Sequence, residues 1–206
     1  MALSRTSLTT AIAAAAVAIP LSIGGLAPAA HAQTSSPSPS PSGTSTTSSG
    51  VFGPGCSSLP KTGAGSAAVM AKQKVVAAAT GNPQLSILVG YVNRAKLANT
   101  LDTSKDITLF APTNAAWQKL SSSQRTALAN NPTQLKKALE YHVVKQHVTK
   151  AELPNGSFTT LEGSKLTTSG SGTSFKVNKS ADIVCGNIPT ANATVYLVDT
   201  VLMPPS

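Results

Sequence analysis

The sequence predicts an α+β fold, on three observations. Up to about residue 142 the apolar residues recur at helical spacing. From Val143 onward they sit in short alternating runs separated by turn residues. One short apolar run, Ile107 to Ala111, interrupts the helical half and offers the later strands a partner. Helices first, then a β-rich half that returns to an early strand, is the order of an α+β domain and not of alternating β/α units.

The elements follow in order. Ala67 to Thr80 is rich in Ala, Val, Lys and Met and reads as helix, broken near Lys72. Gly81-Asn82-Pro83 stops it. Pro83 suits the first turn of a second helix running to about Lys96, with Leu85, Leu88, Val89 and Val92 as its apolar stripe. Leu97 to Leu101 leads into a polar turn, Asp102 to Asp106. After the Ile107–Ala111 strand, Pro112-Thr113-Asn114 opens a helix with Thr113 or Asn114 as cap, continuing to Leu120. Ser121 to Asn130 is a further helical piece, and Pro132 starts another that runs to about His142. Leu135, Leu139 and His142 share a face there, which points His142 toward the core. Phe158, Thr160 and Leu166 lie in short alternating runs. Ser169-Gly170-Ser171-Gly172 is a hairpin turn between Lys165–Thr168 and Ser174–Val177. Ala181–Cys185 and Thr194–Met203 are two more strands. The Thr194–Met203 strand is expected beside Ile107–Ala111, with Asp199 accepting hydrogen bonds near Thr113 or Asn114, because a charge in an apolar strand must find donors when buried.

The first fifty residues stand apart. Met1 to Ala32 has a positive start at Arg5, an apolar stretch broken by Pro20 and Gly24-Gly25, and Ala30-His31-Ala32 as a small-x-small cleavage pattern. This predicts a signal peptide over 1–32, removed on export, with no transmembrane segment in the mature chain. Residues 33–50 hold twelve Ser or Thr, three Pro and no charge, a composition that cannot bury enough surface to offset its ordering entropy and reads as a disordered spacer. Residues 51–206 remain as a single domain, long enough for a core without metals. Leu59-Pro60-Lys61-Thr62-Gly63 matches a wall-sorting pattern but stands ahead of the domain, so no wall sorting is expected. Export makes a disulfide permissible, and two cysteines allow one intramolecular pairing, Cys56 with Cys185. The alternative is two free thiols.

The chain of 206 residues carries 16 Lys+Arg against 7 Asp+Glu, with 4% aromatics. Arg5 is the only charge before residue 51, so the domain keeps 15 basic and 7 acidic side chains. Such a balance favours anionic partners. The basic residues are scattered and do not interleave with aromatics, which argues against nucleic acid. Residues 51–131 carry eight basic and two acidic side chains, which makes Lys72, Lys74, Arg94, Lys96 and Lys119 the candidates for an anion-binding patch. There is no G-x-S-x-G, H-E-x-x-H, P-loop or G-x-G-x-x-G. His142 and His147 are the only histidines after residue 32, and neither has carboxylates at ligand spacing. No metal and no cofactor is expected. Asp182 and Asp199 are the only pair with a spacing to consider for hydrolase chemistry; a turn residue and a hydrogen-bond acceptor are the expected roles. Asn155-Gly156-Ser157, Asn178-Lys179-Ser180 and Asn192-Ala193-Thr194 are glycosylation triplets, taken as incidental.

Thr108-Leu109-Phe110-Ala111-Pro112-Thr113-Asn114-Ala115-Ala116-Trp117 resembles the first signature box of the fasciclin (FAS1) domain. Tyr141-His142 is similar to the Tyr-His pair that follows in that family, and Thr194 to Pro204, with Asp199, resembles its second box. The GPGC run ending at Cys56 and the Val184–Gly186 segment further resemble the small secreted fasciclin-domain antigens of mycobacteria and related actinobacteria. Two positions depart: Trp117 stands where Phe is commoner, and Tyr196 where eukaryotic relatives often carry His. The resemblance implies a wedge-shaped β-sandwich with several helices packed on it and one disulfide. It also implies adhesion or extracellular binding without catalysis. An integrin-linked role of the Tyr-His region transfers only weakly to Tyr141 and His142, whose helical face reads as buried. The expectation is thus a secreted monomeric module, at most loosely associated with the cell surface, whose partner is a protein or an anionic polysaccharide. The alternatives are a carrier of a small apolar ligand and, behind it, a cell-wall hydrolase using Asp182 or Asp199.

Overall fold

The structure is a computed structural model and describes residues 50–205; the expected signal peptide and the spacer up to residue 49 lie outside the described residues. Among the described residues seven α-helices come in order: α1 (Ala67–Met70), α2 (Val75–Gly81), α3 (Ser86–Arg94), α4 (Ala98–Thr103), α5 (Asn114–Lys119), α6 (Ser122–Asn130) and α7 (Pro132–Tyr141). The break expected near Lys72 falls between α1 and α2. Pro83 opens a 3-10 turn, Pro83–Leu85, that leads into α3. Ser121 closes a capping box with Gln124, and Asn131 accepts from the Gln134 N–H ahead of Pro132. α4 runs into the start of the polar turn expected at Asp102 to Asp106: the Val76 N–H donates to Asp102 Oδ1 at 3.2 Å, and Leu101 packs into the core, so tertiary contacts carry the helix to Thr103.

The strands are β1 (Ile107–Pro112), β2 (Val143–Val144), β3 (Ser157–Thr159), β4 (Lys165–Ser171), β5 (Ser174–Val177), β6 (Ala181–Pro189) and β7 (Ala193–Val198). They form one mixed sheet in the order β2-β1-β7-β6-β5-β4-β3. β1 and β7 are parallel and adjacent as expected, with Thr108 opposite Thr194 and Phe110 opposite Tyr196. The sheet curls until its two edges meet: Val144 bridges Thr160, and the Lys145 N–H donates to Thr159 O at 3.2 Å. The two faces of the expected sandwich are therefore one continuous sheet wrapped on itself.

Period-two alternation on the two central strands divides the core. Ile107, Leu109, Ala111, Val195 and Leu197 face the helices, together with Leu85, Leu88, Trp117, Leu135 and Leu139. Phe110, Tyr196 and Val198 face the inside of the curl with Phe52, Leu153, Phe158, Leu166 and Phe175. β1 and β7 are buried on both faces, which is why they read as unbroken apolar runs.

Several boundaries differ from expectation. β6 runs past Cys185 to Pro189. The Thr194–Met203 strand ends at Val198, because Asp199 turns the chain. The hairpin tightens onto Gly172-Thr173, since Ser171 already pairs with Ser174. Lys150–Asn155, expected among strands, is a 3-10 helix. Cys56 and Cys185 are joined, 129 residues apart in sequence, tying the start of the domain to β6. Leu59 of the sorting-like motif is buried in the core, while Lys61–Ala64 are exposed.

Candidate functional site

Most of the signature residues are buried, Asn114 and Asp199 being half-buried, and their polar groups mainly hold backbone. His142 follows α7 and has no exposed surface. Its Nε2 lies 2.9 Å from the Leu202 N–H, which can only donate, so Nε2 accepts and Nδ1 carries the proton, 2.7 Å from Ala138 O. Burial lowers the imidazole to a pKa of about 4, against a smaller opposing pull from the Ala138 carbonyl. His142 is a neutral clasp between α7 and the C-terminal segment. The Tyr141 hydroxyl donates to Lys165 O at 3.1 Å and accepts from Asn178 Nδ2 at 2.8 Å. Phe110 stacks on Tyr196 with ring centroids 5.4 Å apart. Trp117 fills an apolar site against Tyr91, with centroids 4.6 Å apart.

Asp199 does not reach the cap of α5, as its position in the second box had suggested. Thr113 Oγ1 accepts from Ala116 N–H, and the Thr113 N–H donates to the Val198 carbonyl. Asn114 instead ties α5 to α3: its Oδ1 accepts from Ile87 N–H, and its Nδ2 donates to Pro83 O. Asp199 Oδ1 accepts from Asp182 N–H and Thr200 Oγ1, and Oδ2 from Lys119 Nζ at 2.6 Å. Burial alone would raise this carboxyl; the Lys119, Asp182 and Thr200 donors outweigh it and hold it below its ordinary range. The reason for the correction is geometric. Because β7 stops at Val198, Asp199 points across to β6 and not along β1. Lys119 therefore leaves the candidate patch as an ion-pair partner, while Lys72, Lys74, Arg94 and Lys96 are exposed on the α1–α2 turn and around the end of α3. Asp182 is paired with Lys176 at 2.7 Å.

A groove lies where the curled sheet fails to close. Thr108, buried on β1, donates to Gln146 O at 2.7 Å and accepts from the Val148 N–H at 2.8 Å. The Tyr196 hydroxyl donates to Val148 O at 2.8 Å, and burial raises its pKa far above the ordinary phenol range. These hydroxyls draw residues 146–148 inward, away from β3, just beyond the Lys145–Thr159 contact. The 3-10 helix Lys150–Asn155 follows. Its capping box sets Thr149 against Glu152, and Leu153 anchors it in the core. Both Thr149 donors, the N–H at 2.7 Å and the hydroxyl at 2.8 Å, reach Glu152 Oε2 and hold that carboxyl below its usual range. Gly156 lets the chain turn into β3, because a Cβ there would lie 2.3 Å from the Phe158 ring and 2.4 Å from Thr168 Oγ1. The result is an open, mainly polar groove of about 470 Å³ lined by Gln146, Glu152, Pro154, Asn155, Ser157 and Phe158. Sequence reading missed it. The Thr149…Glu152 capping spacing was a local signal; the hooks from Thr108 and Tyr196 are long-range and left none.

An apolar slit between α2, α3, α4 and β1, lined by Val75, Val76, Leu88, Val92, Leu101 and Leu109 among others, encloses only about 10 Å³, the room of one water. Among the described residues no group of three or more His, Cys, Asp or Glu is placed to hold a metal, and no single helix is long and apolar enough to cross a membrane.

Fold and geometry together define a mixed-sheet α+β domain whose polar core positions brace its loops. Residues 83–204 match the fasciclin domain. The chain is 42% identical over 162 residues to the immunogenic protein MPB70 of Mycobacterium bovis, covering 75% of this chain and 82% of that protein. It is 40% identical over 164 residues to the cell surface glycolipoprotein MPB83 of the same species, covering 76% and 73%. Among solved structures, the FAS1 domain pair of the insect cell adhesion molecule Fasciclin I superimposes with a TM-score of 0.53 at 14% identity, over 64% of this chain and 51% of that one. The chain belongs to the fasciclin domain family.

Proposed function

We propose that this protein is a secreted extracellular binding module of the adhesion type that performs no catalysis. The observation that carries the reading is the use of its polar signature groups. Thr108, Tyr141, His142 and Tyr196 are buried and bonded mainly to backbone, and Asp182 and Asp199 are each bound to a lysine. Such groups hold a scaffold; they leave no nucleophile beside a base. The names of the relatives, one a cell surface glycolipoprotein and one an insect adhesion molecule, agree with it. So do the leader-like residues 1–32 and the polar spacer. The filled slit among the helices speaks against a carrier.

The anionic partner expected from net charge belongs to Lys72, Lys74, Arg94 and Lys96. The test is retention of the exported protein on immobilised acidic wall polymer and heparin across a salt gradient, with matrix proteins and lipids in parallel. Retention above physiological salt, lost when these four side chains become Gln, is the expected result. No retention on any matrix would overturn the module reading. Retention indifferent to the four substitutions would overturn the patch.

A further inference from the structure

We propose that the groove at the seam of the sheet is a subsite for a neutral glycan chain. The inference rests on the reading of this protein as an extracellular binding module and names what one of its faces takes.

The lining decides the ligand class. Gln146 and Asn155 each present an amide that donates and accepts, and Ser157 presents a hydroxyl. Glu152 is fixed by Thr149 through Oε2 alone, which leaves Oε1 to accept from a ligand. Three groups of mixed character beside one oriented acceptor match a surface of hydroxyls, each of which also donates and accepts. Pro154, half-buried at the rim, adds apolar area for the C–H face of a sugar ring, while Phe158 floors the groove from the core. The volume of about 470 Å³ lies within the range of small-ligand sites, and the groove is open, so a stretch of a longer chain can lie in it.

The same residues argue against other occupants. Glu152 is the only ionised side chain in the lining, so a polyanion meets a fixed negative charge. Lys150 does not offset it, because its ammonium sits 4.8 Å over the Phe52 ring. An extended peptide adding to the sheet needs a free edge, and β3 offers three residues, of which Thr159 already accepts from Lys145 N–H. The groove is also braced before any ligand arrives. Thr108 and Tyr196 hold one wall and the Thr149–Glu152 box holds the other, so little ordering cost falls on binding.

The test is an NMR titration of the exported protein with soluble hexasaccharides of glucose, mannose and galactose. A heparin hexasaccharide and a lysine-rich peptide serve as competing ligand classes. With at least one neutral sugar, the side-chain amide signals of Gln146 and Asn155 and the backbone amides of residues 156–158 should shift. Gln146→Ala and Asn155→Ala should each weaken binding roughly tenfold, the scale of one lost hydrogen bond to a polar ligand. Both side chains are exposed, so the variants are expected to fold, and unchanged signals elsewhere check this. Arg125→Gln, exposed on α6, should leave sugar binding unaltered. The proposal is overturned if no neutral sugar moves the groove signals, if only heparin or the peptide moves them, or if the two alanine variants bind as well as the parent. Each of these outcomes leaves the retention experiment to stand or fall by itself, since that experiment reads basic side chains outside the groove.

Discussion

At the scale of single residues, His142 shows how burial turns a titratable group into a structural one. Its pKa is about 4 in the folded protein against an ordinary 6.5. As pH falls, the unfolded chain takes up this proton first. The contribution of His142 is therefore complete above about pH 6.5 and is lost progressively toward pH 4. The shift corresponds to about 3 kcal/mol across that window. Urea unfolding at steps between pH 7 and pH 4 should show the decline, and His142→Gln, though less stable at neutral pH, should be flatter across it. A parent protein of constant stability over this range would refute the assignment. Asn192 makes a second case. Its Oδ1 accepts from Val75 N–H, and its Nδ2 donates to both Leu101 O and Ser104 O, so one amide joins the start of α2 to the end of α4. Asn192→Ala should cost about 2–4 kcal/mol through three broken bonds, whereas Asn155→Ala, at an exposed residue of another of the three triplets, should stay within about 0.5 kcal/mol. Equal midpoints in thermal unfolding would contradict this. The sequence presents both residues as glycosylation triplets; only the fold distinguishes a brace from a surface amide.

The elements were legible to the degree that their signals were local. Pro132 opened α7, and the apolar stripe of α3 and the strands β1 and β7 stood out by periodicity or by unbroken apolar character. The 3-10 helix Lys150–Asn155 was not legible as such, because Pro154 and Gly156 suggest a loop and its anchor Leu153 is buried by residues remote in sequence. The sequence points Asp199 toward the start of α5 because nothing in the second box says that β7 ends one residue earlier. The candidate groove was invisible for the same reason: its walls come from β1, β7 and the 146–158 stretch. The bracing of that stretch can be measured. Thr108→Val keeps the shape but leaves Gln146 O and Val148 N–H without a partner, and should cost about 1–3 kcal/mol. Tyr196→Phe removes a donor from Val148 O alone and should cost less, about 1 kcal/mol. Equal or reversed effects in urea unfolding would show that Thr108 does not hold the segment.

At the scale of the whole molecule, closure comes from two sources, the curl of the sheet and one covalent link. The Cys56–Cys185 bond closes a loop of 129 residues, nearly the full domain. Removing it by paired Cys→Ser substitution should lower stability by about 2–4 kcal/mol, with the unfolded chain gaining most of the freedom. A change below about 1 kcal/mol would mean that the denatured state is compact enough to need no such tether. β6 accommodates the link by two register shifts against β7, around Cys185 and Gly186. A Cβ at Gly186 would lie 2.6 Å from the Tyr196 ring and 2.7 Å from that of Phe52, so the N-terminal segment can lie against β6 only because this residue is glycine.

That attachment also determines how the domain answers a pull. Tension applied through the residues before Gly50 reaches the body at the paired Phe52 and Gly186, and then at the sulfur–sulfur bond to Cys185. It is delivered to an interior strand of the sheet, while the exposed stretch Lys61–Ala64 and helices α1 and α2 lie off the line of force. A peptidase cut within 61–64 would leave residues 50–60 fastened to the rest until a reductant arrived. Drawn from Gly50, the described chain is crimped at β6.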